Sequence, residues 1–409
     1  MSTVQLRHVA TLVTGSTPPG SLGDEAYDSM GLSWIRPNDL LEANIPVDSS
    51  KHLSESGEAY SRIINQPACV LVGIGSIGKL GFALPPFATN QQIVSIIPKT
   101  GWDMKYLYYV LKNSEQWLKA NANGTTLPIL NTNDLGRLPV PLKSFEQQKR
   151  IANELDYELT KIDQLIADQL YLQELLAERL TSLTFELATD ASNSDRYETG
   201  DPFWKTLPKG WTLQKLGWHF KIGNGSTPKS DNPEYWTDNA DNGFPWFNSS
   251  VVNNEVAGTP SRYVTTKALN ECHLPFVPQG SLLVGLTGQG KTRGMVTKTG
   301  IDSTINQHVA YLHAYKTSDL NIDFVKLCLQ ATYPMLRFIS DGNGSTKGAL
   351  TCDSLNHFSL PVPPVNHQRK SINLFKNQQI TNNSLMKSSA ELINILEEVK
   401  NPRTKLVEI

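Results

Sequence analysis

The feature that most constrains this fold is an internal repeat, because the 409-residue sequence contains one series of segments twice. The matched pairs occur in the same order in both halves: 6–18 with 216–228, 33–40 with 245–252, 71–79 with 283–291, 89–96 with 305–312, 124–130 with 344–350, and 138–151 with 360–372. A shared series of this length predicts two copies of one domain, related by an approximate two-fold axis.

Each repeat ends in a long segment with the hydrophobic spacing of a coiled-coil helix. Apolar residues recur at steps of three and four in both segments: Leu155, Leu159, Ile162, Ile166, Leu176, Leu180, Leu183 and Leu187 in the first, and Ile372, Phe375, Met386, Ile393 and Leu396 in the second. Polar side chains interrupt the middle of both stripes, at Gln169 and Gln173 and at Gln379 and Asn382. Such buried amides cost stability but fix the register of a helix pair.

The two helices are predicted to pair antiparallel, with residue 171 opposite residue 380, so that one polar layer faces the other. Their charges favour this pairing. Residues 144–190 hold 4 basic and 10 acidic residues, whereas residues 365–409 hold 7 basic and 4 acidic residues. The two segments therefore attract each other.

Together these patterns predict an α+β fold with a pseudo-two-fold internal repeat, in which two similar globular α/β domains are joined by two long helices forming an antiparallel coiled coil. The predicted boundaries are 1–143 for the first domain, 144–190 for the first helix, 191–210 for a linker, 211–364 for the second domain and 365–409 for the second helix. Segment 191–210 is assigned as a linker because its sequence is polar and turn-rich.

Composition excludes little. The formal net charge of −2 gives no sign of a nucleic-acid partner. The four cysteines are scattered without a Cys-x-x-Cys pair, so neither a disulfide framework nor a metal site is expected. The N-terminus has no apolar leader and no long apolar run follows, which predicts a soluble cytoplasmic protein.

The segment 285–292, GLTGQGKT, satisfies the Walker A pattern of ATP-binding proteins. A phosphate loop of that type needs a helix directly after it, because the helix N-terminus supplies amides to the phosphates. The following residues, RGMVTKTGID, instead predict a turn into a strand. The matched segment of the first repeat also has Leu80 where Thr292 would bind magnesium, so an ATPase is disfavoured.

Two further motifs in the first repeat fail in a similar way. Residues 73–78 imitate a dinucleotide-binding fingerprint, but Gly81 and Pro85-Pro86 prevent a helix from opening there. The segment LPPF at 84–87 is similar to a motif of amino-methylating enzymes. Leu84 cannot accept a hydrogen bond from a base amine, so no catalytic residue is predicted.

The remaining interpretation is a glycine-rich hairpin that carries cations, with amide side chains nearby. Backbone amides at glycines approach anions closely, and Asn or Gln can bind adenine in the major groove. The alternative is that these amides only close turns. The candidate DNA-binding residues are Trp34, Arg36, Asn38, Ser76, Lys79, Asn90, Gln91, Gln92, Thr125, Thr126, Trp246, Asn248, Thr287, Gln289, Lys291, Arg293, Asn306, Gln307, His308, Ser345, Thr346 and Lys347.

On these residues the whole chain resembles the specificity subunits of Type I restriction-modification systems, the HsdS family. The resemblance rests on GSTP, LLVGLTGQGKT, INQHVAYL, GSTKGAL and LPVPPVNHQRKSI with its trailing helix, and on their counterparts in the first half. It implies two target recognition domains that each bind one half of a bipartite, asymmetric DNA site and are spaced by antiparallel helices.

The resemblance also implies partners. Two modification subunits would dock on the helices, bind S-adenosylmethionine and methylate adenine N6. The resemblance leaves open whether restriction subunits, which use ATP and Mg, join this complex. The chain itself would bind no cofactor and catalyse nothing. The rival hypotheses are a P-loop-like ATPase that uses 285–292 and a coiled-coil adaptor that binds only protein.

Overall fold

The structure is a computed structural model that describes residues 2–40, 45–124, 127–288, 290–341 and 348–400. The chain divides into two compact units, one within residues 1–171 and 389–409 and the other within residues 172–388. Each long helix contributes one part to each unit.

Short strands and helices precede the first long helix. The strands are β1 (Thr3–Gln5), β2 (Ala10–Thr14), β3 (Tyr27–Ile35), β4 (His52–Leu53), β5 (Ala68–Val72), β6 (Leu80–Ala83), β7 (Ala88–Thr89), β8 (Ile93–Pro98) and β9 (Pro139–Pro141). The helices are α1 (Leu6–Val9), α2 (Glu55–Glu58), α3 (Met104–Asn113), α4 (Glu115–Ala120), α5 (Thr132–Leu135) and the long α6 (Phe145–Thr189), with a 3₁₀ segment at Gly20–Ala26.

The second half follows the same plan. Its strands are β10 (Arg196–Glu198), β11 (Thr206–Pro208), β12 (Thr212–Lys215), β13 (Phe220–Asn224), β14 (Trp236–Thr237), β15 (Phe244–Phe247), β16 (Val256–Ala257), β17 (Arg262–Val264), β18 (Leu282–Gly285), β19 (Val296–Thr299), β20 (Thr304–Ile305), β21 (Val309–Ala314) and β22 (Ser359–Val362). Its helices are α7 (Leu216–His219), α8 (Thr266–Glu271), α9 (Ile322–Ala331), α10 (Tyr333–Asp341), α11 (Cys352–His357) and the long α12 (Val365–Lys400), with a 3₁₀ segment at Ser249–Asn253.

Sheet topology confirms the internal repeat. The first domain has the strand order β2-β8-β5-β6, and the second has β13-β21-β18-β19 with β16 added at the edge. The parallel pair β3–β7 is matched by β15–β20, and the antiparallel pair β1–β9 is matched by β12–β22. Two halves with little exact sequence identity therefore fold by the same strand pairings.

The first turns of each long helix belong to the core of the adjoining domain. Ile151 and Leu155 of α6 are 2% and 3% exposed within the main apolar cluster of the first domain. In the second domain, Ile372 of α12 is buried in the corresponding cluster and Phe375 packs against it. Each helix is thus anchored by apolar burial before it leaves its domain.

The predicted linker 191–210 contains two short strands. Its strands β10 and β11 pair antiparallel. Trp204 is 2% exposed, and its indole N–H donates to the carbonyl of Ser359 at 2.7 Å. Although most of this segment is polar, the buried Trp204 packs it onto the second domain.

The helix pair is antiparallel as predicted, but the predicted register is wrong. In the second unit the Ser371 hydroxyl donates to the carbonyl of Leu187 at 3.4 Å, whereas the predicted register placed residue 187 opposite 364. Asn382 consequently lies beside Leu176 and Leu180 instead of facing a polar layer. A shift of one heptad preserves the apolar stripe, so the stripe alone cannot distinguish the two registers.

Candidate nucleic-acid interface

Two loops of the first domain are in contact through hydrogen bonds, and we call them the GSTP loop (15–18) and the amide loop (90–92). The Thr17 hydroxyl donates a hydrogen bond to the side-chain oxygen of Gln91. The Trp34 indole N–H donates to the carbonyl of Ser16 at 3.1 Å. The second domain builds the same arrangement from its own GSTP loop (225–228) and amide loop (306–308).

In that second copy, the Thr227 hydroxyl donates to Gln307 at 2.5 Å, and the Trp246 indole donates to the carbonyl of Ser226 at 3.1 Å. The parallel pairs β3–β7 and β15–β20 bring the tryptophan strand next to the amide loop in each domain. The arrangement is therefore a product of the fold, and it occurs twice.

Glycine is required where the two loops touch. A Cβ atom on Gly15 would lie 2.2 Å from the carbonyl oxygens of Thr89 and Asn90, and one on Gly225 would lie 1.7 Å from that of Ile305. These separations are far below a van der Waals contact, so a side chain at either position would force the loops apart.

The amide loops present only some of the predicted side chains. Asn90 and Asn306 are 7% and 5% exposed, and their side-chain oxygens accept from the backbone N–H two residues later. Both close turns, which corrects the prediction that they contact DNA. Gln91 and Gln307 are exposed, so they remain candidate base contacts. Half-buried Gln92 accepts from Asn90 at 3.1 Å.

Trp34 and Trp246 are also misassigned as contacts. They are 5% and 6% exposed, because each ring packs in a small apolar cluster while its N–H holds the GSTP loop. As placed, neither ring can stack on a base. Their role is to support the loop that carries the exposed residues.

A cation stacked on an aromatic ring lies beside each tryptophan, and the sequence motifs did not reveal it. Lys51 Nζ is 3.3 Å from the ring centroid of Tyr27, which contacts Trp34. The Arg262 guanidinium is 3.8 Å from the ring centroid of Trp236, whose ring centroid lies 5.2 Å from that of Trp246. Only the strand pairing brings these partners together, so no local motif could have identified them.

The segment after β3 differs from its counterpart after β15. Arg36 lies 3.5 Å from the carboxylate of Asp39 and donates to Ser50 at 2.7 Å, while Asn38 is exposed at the turn. Asn248 accepts from the Ser250 N–H at 2.9 Å and so caps a 3₁₀ turn. The first domain thus offers an oriented guanidinium where the second offers a capping amide.

The charge on Asp39 is stabilised locally. Burial opposes its ionisation, but hydrogen bonds from Ser50 and from the backbone of Arg36, together with the Arg36 charge, lower the pKa of Asp39. A carboxylate that stays ionised holds the Arg36 side chain in place.

The glycine-rich loops are hairpins in both domains, and neither precedes a helix. The first runs from Val72 to Lys79 and enters β6, and the second runs from Gly285 to Met295 and enters β19. This confirms that the Walker-like segment does not have the strand–loop–helix form of a phosphate loop.

The two hairpins differ in length, so the string match between Lys79 and Lys291 is not a structural equivalence. The Lys79 carbonyl accepts from the Val72 N–H at 2.9 Å and closes the first hairpin. In the second hairpin the Met295 carbonyl takes this place and accepts from the Gly285 N–H. Lys291 instead lies inside the longer loop. Both lysines are exposed, as is Ser76.

Arg293 does not fit its predicted role, because it is 5% exposed. The loop around it is supported by α10: Arg337 donates to the carbonyl of Gly290 at 2.5 Å, and the Tyr333 hydroxyl donates to that of Lys291 at 2.8 Å. Arg293 is therefore part of the loop's interior, and Lys291 is its outward cation.

Thr287 and His308 form a contact of the second domain alone. The Thr287 hydroxyl and His308 Nδ1 are 3.0 Å apart, and His308 is exposed. The strand register places Ile74 and Gln92 at the corresponding positions of the first domain. This difference lies beside the shared arrangement and gives the two domains distinct surfaces.

A cleft of about 910 Å³ in the first unit brings Lys79 together with two lysines that the sequence interpretation missed. Lys112 and Lys119 project from α3 and α4, and Lys119 pairs with Glu115 at 2.5 Å. Lys112 and Lys119 lie on two separate helices, so no local sequence pattern places them on one face.

Six predicted contacts lie outside the described residues: Thr125, Thr126, Gln289, Ser345, Thr346 and Lys347.

Within residues 2–40, 45–124, 127–288, 290–341 and 348–400, no group of three or more His, Cys, Asp or Glu side chains could hold a metal ion. Over the same ranges, no helix is both long and apolar enough to cross a bilayer. Cys69 and Cys328 are fully buried, and burial raises the pKa of both thiols.

Comparison with known proteins shows a family match. The Type I restriction modification DNA specificity domain matches residues 1–171 and 208–394. The specificity subunit of the Type I restriction enzyme MjaIX from Methanocaldococcus jannaschii is 24% identical over 369 residues, which cover 88% of this chain and 82% of that protein.

Two solved structures share the fold. A chain from a structural study of complex assembly and conformational transition in the type I R-M system superposes with a TM-score of 0.71 at 17% identity, covering 98% of this chain and 96% of its own. The HsdS subunit from Thermoanaerobacter tengcongensis gives a TM-score of 0.61 at 16% identity, with the same coverage.

Proposed function

Because the chain belongs to the Type I restriction modification DNA specificity family, we propose that each of its two domains binds one half of a bipartite, asymmetric DNA site. In this proposal the long helices would set the spacing between the two half-sites. A helix of 45 residues spans roughly 68 Å at ~1.5 Å per residue, which is about two turns of DNA at ~34 Å each.

The observation that carries this proposal is the doubled arrangement of GSTP loop, buried tryptophan and exposed glutamine. The supporting residues are alike in the two domains, whereas the neighbouring side chains differ: His308 is exposed in the second domain, and half-buried Gln92 takes its position in the first. A common scaffold with different exposed groups suits two domains that bind different base sequences.

Phosphate contacts would come from exposed cations around each arrangement. Lys79 is the candidate in the first domain, and Lys291 and Arg262 are the candidates in the second. Such contacts position a protein on DNA without selecting sequence. The domains are nearly neutral overall, so partner subunits would contribute much of the attraction to DNA.

The remaining activity would belong to the partners. Two modification subunits would bind S-adenosylmethionine and methylate adenine N6, and any restriction subunits that join would use ATP and Mg, while this chain catalyses no step. Exposed apolar side chains on the outer faces of the helices offer docking surface, such as Leu170 and Ile395 in the first unit and Leu175 and Ile380 in the second.

The decisive experiment maps N6-methyladenine across the genome in otherwise identical strains with and without this gene. A split motif that occurs only when the gene is present supports the proposal. Methylation that is independent of the gene, with the chain still bound to partner proteins, would favour the protein-only adaptor. Magnesium-dependent ATP binding abolished by Lys291→Ala would favour the ATPase.

A further inference from the structure

One glutamine in the first turn of each long helix is almost completely buried. Gln148 of α6 and Gln368 of α12 are each 1% exposed, although the residues that follow them, Lys149 and Arg369, are exposed. A buried amide is costly unless its donors and acceptor are paired.

In the first unit, Gln148 forms three hydrogen bonds. Its side-chain oxygen accepts from the backbone N–H of Asp103 at 2.8 Å, and its amide nitrogen donates to the carbonyls of Gly101 at 3.3 Å and Lys143 at 3.0 Å. Asp103 caps α3 of the recognition domain, and its carboxylate accepts from the Tyr106 N–H at 2.8 Å. One side chain thus connects the domain, the entering loop and the long helix.

In the second unit, Gln368 repeats all three bonds. Its oxygen accepts from the backbone N–H of Asn321 at 2.7 Å, and its nitrogen donates to the carbonyls of Asp319 at 3.3 Å and Pro363 at 3.0 Å. Asn321 caps α9, the counterpart of α3. The partners differ in residue type, so the backbone geometry is what the two joints share.

Only glutamine satisfies this geometry. Asparagine is one methylene shorter, glutamate has no donor for the two carbonyls, and leucine would leave all three backbone groups buried without their partner. The adjacent Gln147 serves a different purpose, because it forms a capping box with Ser144: its oxygen accepts from Ser144 N at 3.0 Å.

We propose that Gln148 and Gln368 are positioning residues that fix the direction in which each recognition domain is held on its long helix, and that they thereby restrict the spacer between the two half-sites. This inference rests on the proposed function. A domain of about 145 residues has a radius of gyration of about 15 Å, so its DNA-binding edge lies roughly 30 Å from the joint. Rotation by about 10° moves that edge by ~5 Å, more than one base-pair rise of ~3.4 Å.

The test uses the assembled methyltransferase complex and a plasmid library in which the two half-sites are separated by spacers from two base pairs shorter to two longer than the preferred one. Methylation at each spacer is counted by sequencing. Gln148→Leu and Gln368→Leu should each raise the ratio of off-spacer to on-spacer methylation about tenfold, with unchanged half-site preference. The matched control is Gln164→Leu, since Gln164 is exposed and its amide donates to Asp168 one turn away on the same helix.

A merely structural role would lower methylation at all spacers in proportion and leave the ratio unchanged. That result in complexes that melt like wild type would overturn the inference. Should Gln148→Leu fail to assemble, Gln148→Glu keeps the acceptor and serves instead. Loss of assembly in every variant would also overturn it, because direction and not folding is assigned to these residues. If wild type shows no spacer preference, the proposed function fails first.

Discussion

The hydroxyl of Ser389 donates to the carbonyl of Gln169 at 3.2 Å, which fixes the register of the helix pair in the first unit. Ser389 is 3% exposed, and its small side chain admits the neighbouring helix closely. Asp163 pairs with Lys400 at 2.6 Å further along the same pair. The register predicted from polar layers would have placed residue 382 opposite Gln169.

The displaced polar layer gives a stability prediction in the second unit. Asn382 lines a cavity of about 10 Å³ with Leu176, Leu180 and Leu385. Replacing Asn382 with Leu should raise the free energy of unfolding by about 1 kcal/mol, because it extends the apolar seam. Chemical denaturation measures the change, and exposed Asn383→Leu is the control. Equal effects of the two substitutions would contradict the observed register.

An ion triad in the second unit predicts a pH effect. Asp323 on α9 lies 2.7 Å from Lys298 on β19 and 3.0 Å from Lys376 on α12. Burial opposes its ionisation, but the hydrogen bonds and charges of the two lysines outweigh burial and lower the pKa of Asp323.

A carboxyl whose folded pKa is depressed stabilises the protein above its unfolded pKa, and this contribution is lost as pH falls through the folded value. Asp323→Asn should therefore reduce the free energy of unfolding at pH 7, with the difference from wild type shrinking below about pH 4. Urea unfolding across this range measures it, with exposed Asp231→Asn as control. A difference that stayed constant with pH would refute the assignment.

Much of the fold could be predicted, because the repeat, the two long helices and the hairpin form of the Walker-like loop all follow from local pattern. Alignment within the repeat was less secure. The matched strings LPVP place Leu138 with Leu360, whereas the structure gives Leu138 the position of Phe358: their carbonyls accept from Leu6 N and Leu216 N. Strand positions two apart share a face, so apolar alternation permits this slip.

The sequence predicts the candidate site less completely, because it does not show which polar side chains the fold buries. The sequence shows that Asn90 and Arg293 are polar, but it does not show that the fold buries them. Nor does it bring Lys51 beside Tyr27, which requires the pairing of β3 with β4. The sequence indicates which loops carry polar side chains, but tertiary contacts decide which of those side chains face solvent.

The exposed glutamines should affect one half-site each. Gln91→Ala should relax base preference in one half and Gln307→Ala in the other, at a discrimination cost of ~1–3 kcal/mol. Methylation motifs of the two variants measure this. Thr17→Val, which removes only the hydroxyl that orients Gln91, should give a smaller effect in the same half. Unchanged base preference in both glutamine variants would show that these residues have only a structural role.

Replacing the exposed cations should affect DNA binding, whereas replacing the buried cation should affect stability. Lys79→Ala and Lys291→Ala should weaken DNA binding with unchanged sequence preference, and each should reduce the salt slope of binding by about one. Arg293→Ala should instead lower the melting temperature, because Arg293 is buried. Binding assays at several salt concentrations and a thermal melt distinguish these outcomes. A changed methylation motif in Lys79→Ala would show that Lys79 contacts a base.

The last prediction uses the observed register to test the helices as a ruler. One heptad is inserted into α6 between Gln169 and Gln173 and another into α12 between Met386 and Ser389, so that both helices of the pair lengthen together. Seven residues add about 10 Å at ~1.5 Å each, which is about three base pairs at ~34 Å per turn. The half-sites should stay the same while the spacer lengthens. Insertion into α6 alone is the control, since it mismatches the pair and should reduce stability. A doubly extended chain that assembles and methylates sites with the original spacer would leave the helices as a docking surface only.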